Sequence, residues 1–176
     1  AYKSYFEIKE KIFYNDKENN VEIAVYPHNE FRATVMVDYN SPVLGSQHYT
    51  LNELSKFKTE VANSRTFCFL HEVEELYKKN LIKGGDLNNA IVIVDKVITK
   101  KKLDDISKLL GKKKVKVEKE GILNNIKLRY HNEPARHKLL DILGDITLLG
   151  RPIKGHIIAA RTGHKSNVEF TKLLKK

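Results

Sequence analysis

The sequence predicts an α+β fold, a two-layer sandwich in which helices pack against a mostly antiparallel sheet. Three observations lead to this prediction. The N-terminal part alternates apolar and polar side chains, which is typical of strands with one face in water. Apolar residues at helical spacing follow, and they recur near the end of the chain. A length of 176 residues corresponds to one domain or two very small ones, and we expect a single domain over 1–176, which is long enough to bury one core.

The first elements are predicted to be strands, separated by turn residues, over 5–8, 11–14, 21–26 and 31–39. The spacing of apolar residues then changes. Thr50 and Glu53 fit a capping box, and apolar residues at helical spacing continue from there to Val61. We therefore expect the first helix to begin after Thr50.

The middle of the chain is predicted to be a β-α-β insertion on the main sheet. A second helix is expected over about 70–80, followed by a break at Gly84 and Gly85. The apolar run 90–94 is typical of a buried strand. A short helix over 103–110 comes next, and alternating segments follow at 112–119 and 126–130. The insertion therefore spans about 84–130.

The last third predicts a helix, a strand and a final helix. Pro134 is suited to the first turn of a helix that continues to about Leu149, where Gly150 and Pro152 follow. Residues 153–160 are predicted to form a strand. Ser166 and Glu169 fit a second capping box, which places the start of the final helix at Ser166.

The charge distribution argues against nucleic-acid binding. A net charge of +10 permits contact with nucleic acid or an anionic membrane. Ten lysines against three acidic residues place +7 of that charge between residues 96 and 119. This stretch has no arginine and no aromatic residue, so it lacks bidentate and stacking contacts. We interpret it as a solvated surface insertion.

Two further classes are excluded by composition. The single cysteine, Cys68, cannot build a disulfide framework or a cysteine-based zinc site, and it is expected to be a small buried side chain. The longest apolar runs are far too short to cross a membrane.

The predicted helix after Pro134 carries a stripe of polar residues that are candidates for metal binding or catalysis. His137 and Asp141 are four residues apart and therefore share a helix face, and Asp145 continues the stripe by one turn. Imidazole and carboxylate are zinc ligands, so this pair is a candidate metal site. The alternative is an amphipathic helix whose polar stripe faces water. His164 is a further candidate, because it lies where the predicted strand gives way to the last helix.

Four segments occur in an order that closely resembles the UDP-3-O-acyl-N-acetylglucosamine deacetylases of lipid A biosynthesis: SRTFCF at 64–69, GGDLNNAIV at 84–92, RHKLLDILGD at 136–145 and GHKSN at 163–167. The resemblance covers nearly the whole chain and is weakest in the lysine-rich stretch. The long insertion and the residues at 132–135 are most similar to the Bacteroidetes version of the family. There the deacetylase is often fused to a 3-hydroxyacyl-carrier-protein dehydratase.

The resemblance implies specific roles for the polar stripe. The family has two domains, and this chain is similar to the second. By that similarity His137 and Asp141 are two zinc ligands, and His164 is the general acid or oxyanion-stabilising group. Asp145 supports that histidine, and Lys138 lies near the substrate.

The resemblance also implies a substrate surface. Thr66 and Phe67 match positions that contact the substrate, and side chains of the segment 84–92 in the insertion line a passage for the acyl chain. The residues concerned are Thr66, Phe67, Leu87, Asn89, Ala90 and Val92.

One departure from the family is large. The third zinc ligand and the catalytic glutamate of the family are an adjacent Glu-His pair in the first domain, and this sequence has no such dipeptide. His71 and Glu72 stand in the reverse order. The chain also lacks an initial methionine, so we expect a piece of a longer protein that works only with its first domain.

The implied function is zinc-dependent hydrolysis of the N-acetyl group of the UDP-linked, acylated sugar, in the cytoplasm of a Gram-negative bacterium. Two other functions stay open. The chain is a catalytically incomplete scaffold, or it is a basic nucleic-acid-binding module that uses the lysine-rich stretch.

Overall fold

The computed structural model describes residues 4–79, 89–109, 115–117, 121–124 and 126–175. It divides into two compact units. The sheet unit comprises Ala1–Tyr39, Ser46–Ser64 and Tyr130–Lys176, and the inserted unit comprises Asn40–Gly45 and Arg65–Arg129.

The described strands are β1 (Phe6–Glu7), β2 (Ile12–Asp16), β3 (Val21–Tyr26), β4 (Phe31–Asp38), β5 (Ser46–Leu51), β6 (Thr66–Phe69), β7 (Ala90–Ile93) and β8 (Ile153–Ala160). The described α-helices are α1 (Phe57–Glu60), α2 (Leu70–Lys78), α3 (Lys100–Leu109), α4 (Glu133–Ile146) and α5 (His164–Leu174). Short 3-10 helices precede α1, at Leu54–Lys56, and follow α4, at Thr147–Leu149.

The sheet unit is built on a six-stranded sheet in the order β2-β3-β8-β4-β5, with β1 also paired to β8. The β2–β3, β3–β8 and β4–β5 pairs are antiparallel, whereas β8 runs parallel to β4 and β1. The sheet is therefore mostly antiparallel and packed by helices, which confirms the predicted fold class.

Alternation along the strands separates a buried face from an exposed one. The apolar core joins inward residues of the sheet with α4 and α5, and its fully buried members include Ile23, Val25, Val35, Leu139, Ile157 and Phe170. Burying each of these large side chains stabilises the fold by about 1.5–3 kcal/mol. On the opposite face Phe13, Met36 and Ile158 stay largely exposed. The predicted sheet with one wet face is confirmed.

The first predicted helix is largely wrong. Residues 46–51 form strand β5, and Thr50 pairs with Thr34 of β4, with their hydroxyl oxygens 2.9 Å apart. Glu53 makes no side-chain cap, and α1 is a single turn at Phe57–Glu60. The helical spacing was misleading because Leu51 is the last residue of β5, whereas Leu54 and Phe57 belong to the short helical turns that follow.

The second capping box is also wrong in detail. Helix α5 begins at His164, with Gly163 as its N-cap. Ser166 lies inside the first turn, where its Oγ accepts a hydrogen bond from the Gly163 amide at 3.0 Å. Glu169 lies on the exposed face and pairs with Lys172. The serine therefore closes the first turn from inside the helix, which starts two residues before the predicted position.

The inserted unit has its own β-α-β arrangement and core. Strands β6 and β7 pair in parallel, and α2 follows β6 in the chain. The core of this unit consists of Leu70, Val73, Val92, Val94, Ile106, Val115 and Leu123. The alternating segment 126–130 forms no regular strand, and instead Ile122 makes an isolated antiparallel bridge with Ile93. Most of segment 112–119 lies outside the described residues. The expected single domain over 1–176 stays a prediction.

None of the helices in the described ranges combines the length and the apolar character needed to cross a bilayer.

Candidate active site

Helix α4 places His137 and Asp141 one turn apart. Its buried residues, such as Leu139 and Ile142, face the core, and the polar stripe lies on another side of the same helix. His137 Nε2 is 3.3 Å from Asp141 Oδ1, and the two side chains are 15% and 7% exposed. A stripe that only faced water would leave this carboxylate exposed. Its burial therefore argues for a built site at Asp141.

Hydrogen bonding determines which nitrogen of His137 carries a proton. His137 Nδ1 lies 3.1 Å from the carbonyl oxygen of Ser64. A carbonyl oxygen only accepts, so Nδ1 is the donor. In the neutral ring Nε2 then has a lone pair, which faces a carboxylate oxygen. Two acceptors at this distance favour a cation between them, and a backbone bond to the remote nitrogen is the usual support of a metal-binding histidine.

Lys138 contacts the other oxygen of the same carboxylate. Its Nζ is 3.1 Å from Asp141 Oδ2, and the Lys138 side chain is 18% exposed. Asp141 therefore divides its oxygens, with Oδ2 toward a cation and Oδ1 toward imidazoles. A partly buried lysine beside a buried carboxylate offsets the cost of taking that charge out of water.

His164 joins the site from the first position of α5. Its Nδ1 is 2.9 Å from Asp145 Oδ2, and its Nε2 is 3.9 Å from Asp141 Oδ1. The imidazole is 71% exposed. The second helix thus presents an accessible ring nitrogen beside the His137–Asp141 pair, with the opposite nitrogen held by a carboxylate.

Two contacts of this site were missed by the sequence analysis, although their residues lie in the quoted motifs. Asn167 Nδ2 donates to Asp145 Oδ2 at 2.8 Å, and Asn167 is buried. Arg136, which precedes His137, contacts Tyr49, Tyr130 and the Glu60 carbonyl. Residue spacing gives no signal for either contact, because both depend on how helices and strands meet.

The Arg136 guanidinium lies between two aromatic rings. Its carbon is 3.9 Å from the ring centre of Tyr49 and 4.2 Å from that of Tyr130. Arg136 also donates to the carbonyl of Glu60 at 2.6 Å and to Asn132 Oδ1 at 2.8 Å. Burial, together with its hydrogen bond to the Glu60 side chain, raises the pKa of Tyr49 to about 12. This cluster fixes the start of α4.

The donor set fits zinc but is incomplete. Imidazole nitrogen and carboxylate oxygen are both zinc ligands, and here they converge. Across the described residues, no group of three or more His, Cys, Asp or Glu side chains is arranged to hold a metal ion. The His137–Asp141 pair is therefore a candidate for two metal ligands.

The predicted substrate residues belong to the inserted unit. Thr66 and Phe67 begin β6, and Thr66 pairs with Ala90 of β7. Asn89 immediately precedes β7 and is exposed. Val92 is buried in the core of its unit. Leu87 lies outside the described residues.

The remaining histidines have other surroundings. His156 Nε2 is 2.9 Å from Thr34 Oγ1, and burial, reinforced by the charges of Arg32 and His28, lowers its pKa. His71 Nδ1 lies 3.5 Å from Asp95 Oδ1. The predicted structural or solvent-facing roles of these histidines stay predictions.

The fold and this site together define an α+β chain in which a histidine–carboxylate pair is a candidate metal site. Residues 1–107 and 106–176 match the family of UDP-3-O-acyl N-acetylglycosamine deacetylases. The chain belongs to this family.

Its relatives are longer proteins. The "Bifunctional enzyme LpxC/FabZ" of Chlorobaculum tepidum is 50% identical over 177 residues, which cover 99% of this chain and 38% of that relative. The protein of the same name from Porphyromonas gingivalis is 42% identical, again over 99% of this chain and 38% of the relative. A UDP-3-O-acyl-N-acetylglucosamine deacetylase of Leptospira biflexa is 35% identical over 86% of this chain and 42% of its own length. The chain therefore spans about two fifths of these relatives.

Proposed function

We propose that this chain supplies part of the active site of a zinc-dependent deacetylase in lipid A biosynthesis. The substrate is UDP-3-O-(3-hydroxyacyl)-N-acetylglucosamine, and the products are acetate and the free amine of the sugar. The observation that carries the proposal is the 3.3 Å approach of His137 Nε2 and Asp141 Oδ1, with the other nitrogen of His137 bound to a backbone carbonyl.

His137 Nε2 and Asp141 are the two zinc ligands that this chain provides. When bound, zinc polarises a carbonyl and lowers the pKa of a coordinated water. The Ser64 carbonyl supports this role, because it fixes the ring orientation of His137 and leaves Nε2 toward Asp141. Lys138 holds the second oxygen of Asp141, and its positive charge suits an anionic substrate.

His164 is the acid–base group of the proposed reaction. Its Nδ1 is bound to Asp145, so the exposed Nε2 is the nitrogen available for proton transfer. In the imidazolium form, Nε2–H stabilises the oxyanion of the attacked amide and then delivers its proton to the departing amine nitrogen. Asp145 stabilises that cation and holds the ring.

The remaining parts come from outside the described residues or from the inserted unit. A first domain with a Glu-His pair supplies the third ligand and the general base. Thr66 and Phe67 contact the substrate, and Leu87, Asn89, Ala90 and Val92 line the acyl passage. The length of the relatives and the name LpxC/FabZ support a longer protein with a fused dehydratase. The proposed location is the cytoplasm of a Gram-negative bacterium.

A zinc titration tests the metal role. We expect the purified chain to bind zinc at neutral pH, more weakly than a complete structural site does. Replacing His137 with alanine (His137→Ala) should abolish saturable binding. His131→Ala is the matched control, because His131 is exposed just before α4 and should leave binding unchanged. Equal zinc affinity in wild type and His137→Ala contradicts the proposed metal site.

A deacetylation assay tests the reaction. With a first domain that carries the Glu-His pair, the chain should release acetate from the UDP-sugar. His164→Ala should lower kcat by at least about 100-fold, the usual contribution of a general acid. Wild-type turnover in His164→Ala would remove this histidine from the mechanism.

A further inference from the structure

We infer that Asn167 is a positioning residue for His164, acting through the carboxylate of Asp145. The inference rests on the proposed function, since it concerns the histidine to which that function assigns proton transfer. Asn167 donates a hydrogen bond to the Asp145 carboxylate, which in turn contacts the His164 ring. Asn167 therefore acts on the carboxylate that orients the ring.

Asp145 Oδ2 is shared by two donors from helix α5. His164 Nδ1 is 2.9 Å away, and Asn167 Nδ2 is 2.8 Å away. His164 is 71% exposed, and a carboxylate–imidazole pair so open to water is weak and free to rearrange. Asn167 is 1% exposed. The buried amide is therefore the fixed member of the three, and it holds the carboxylate in place for the ring.

The orientation of that amide follows from the chemistry of its neighbours. A carboxylate only accepts hydrogen bonds, so the NH₂ group of Asn167 faces Asp145. Asn167 Oδ1 then faces the hydroxyl of Thr162, which donates to it. Thr162 is 2% exposed, so this contact is shielded from water. The direction of each hydrogen bond is therefore fixed, since Thr162 donates to Asn167 and Asn167 donates to Asp145.

The end of this series fixes the tautomer of His164. Because Asp145 accepts at Oδ2, the neutral ring carries its proton on Nδ1 and has its lone pair on Nε2. Nε2 is the nitrogen 3.9 Å from Asp141 Oδ1, next to the His137–Asp141 pair. Without the Asn167 amide, Asp145 gains rotational freedom, and the ring populates both tautomers and more than one orientation.

The test is ¹⁵N NMR of the histidine-labelled chain at about pH 9, well above the ordinary imidazole pKa, so that tautomers are observed directly. The wild-type His164 signals should show Nδ1–H as the dominant tautomer. Asn167→Ala should remove this excess, and Thr162→Val should reduce it by a smaller amount. Thr171→Val is the matched control. It removes an equally buried hydroxyl of α5, which contacts the Asn167 carbonyl rather than its amide, and should leave the tautomer unchanged.

Two results overturn the inference. The first is an unchanged excess of the Nδ1–H tautomer of His164 in Asn167→Ala. If Asn167→Ala does not fold, an unchanged excess in Thr162→Val overturns the inference instead. The second is an equal loss in all three variants, which would mark a general disturbance of α5. In the assembled deacetylase, Asn167→Ala should lower kcat with KM unchanged. The NMR readout needs neither zinc nor substrate, so failure of this inference is distinguishable from failure of the proposed function.

Discussion

At the scale of single residues, burial decides which of many polar side chains belongs to a site. Asp141 and Asp16 are both aspartates near other polar groups, but Asp16 lies partly exposed at the end of β2, where the hydrogen bonds that it accepts from Asn19 lower its pKa. Asp141 is 7% exposed and contacts His137 and Lys138. A buried carboxylate needs such partners to stay charged. Asp141 is therefore the aspartate that indicates a site.

Cys68, which the structure leaves only partly buried, provides a test of burial at this scale. Burial, with a smaller effect from the Glu72 charge, raises its pKa from 9.0 to about 11. At pH 8 the thiolate fraction should be about 100-fold lower than that of an ordinary thiol, since each pKa unit is tenfold. We expect iodoacetamide to alkylate Cys68 slowly in the folded chain and quickly in urea, as followed by mass spectrometry.

The same shift sets a pH dependence of stability. The unfolded thiol ionises near 9.0 and the folded thiol near 11. The contribution to stability is therefore complete below pH 9 and is lost as pH rises toward 11. Urea unfolding at several pH values measures this dependence, and Cys68→Ser, which lacks the thiol, is the control.

In the alkylation experiment, equal rates in the folded and unfolded chain would contradict the burial of the Cys68 thiol.

Helical spacing predicts which charged side chains lie near one another better than it predicts the groups that support them. His137 and Asp141 follow from helical spacing, because residues four apart share a face whatever the tertiary structure. The contact of His164 with Asp145 joins two helices and was implied only by the family resemblance. Asn167 and Thr162 gave no signal of their own, since a buried amide or hydroxyl is recognised by its neighbours and not by its spacing.

At the scale of elements, long periodic segments were predicted well and short ones were not. Strands β3 and β8 have the predicted bounds, 21–26 and 153–160. Strand β5 was missed because its pairing with β4 outweighs the local helical pattern around Thr50. The parallel pairing of β8 with β4 also escaped prediction, because alternation along one strand does not report its direction in the sheet.

Arg136 links α4 to β5 and α1, and its replacement should destabilise the sheet unit. Arg136→Lys keeps the charge but loses the planar group that lies between Tyr49 and Tyr130 and the bond to the Glu60 carbonyl. We expect the free energy of unfolding to fall by about 2 kcal/mol, from the stacking and hydrogen-bond contributions together. Urea denaturation measures this change.

The control for Arg136 is Arg151→Lys. Arg151 is exposed and lies 5.4 Å from the ring of Phe6. Its replacement should change the free energy of unfolding by less than about 0.5 kcal/mol, as is usual for surface sites. Equal effects at the two positions would show that the aromatic cluster around Arg136 contributes nothing specific to the fold.

At the scale of the whole molecule, the described residues form two apolar cores that share no residue. One core joins the sheet with α4 and α5, and the other lies within the inserted unit. The sequence predicts an insertion over about 84–130, and the inserted unit of the structure comprises Asn40–Gly45 and Arg65–Arg129. The start of this unit has no local sequence signature, because β6 pairs in parallel with β7 across an intervening helix.

Separate cores predict that the sheet unit folds without most of the inserted unit. A chain in which a Gly-Ser linker replaces 65–129 retains every residue of the sheet core. Both junctions are held by the sheet unit itself, since the Ser64 carbonyl bonds to His137 and the Tyr130 hydroxyl donates to the Thr59 carbonyl. The 40–45 loop is kept, because its Ser41–Gly45 hydrogen bond closes the turn between β4 and β5.

We expect this shortened chain to unfold cooperatively in urea and to retain slowly exchanging amides in β3 and β8, as measured by hydrogen exchange. Ile157→Ala in the same background should lower its stability by about 2–5 kcal/mol, which verifies that the transition reports on the sheet core. Zinc binding should persist, because His137, Asp141 and the Ser64 carbonyl are all present. An unfolded or aggregated product would show instead that 1–176 folds only as one cooperative domain, as the sequence predicts.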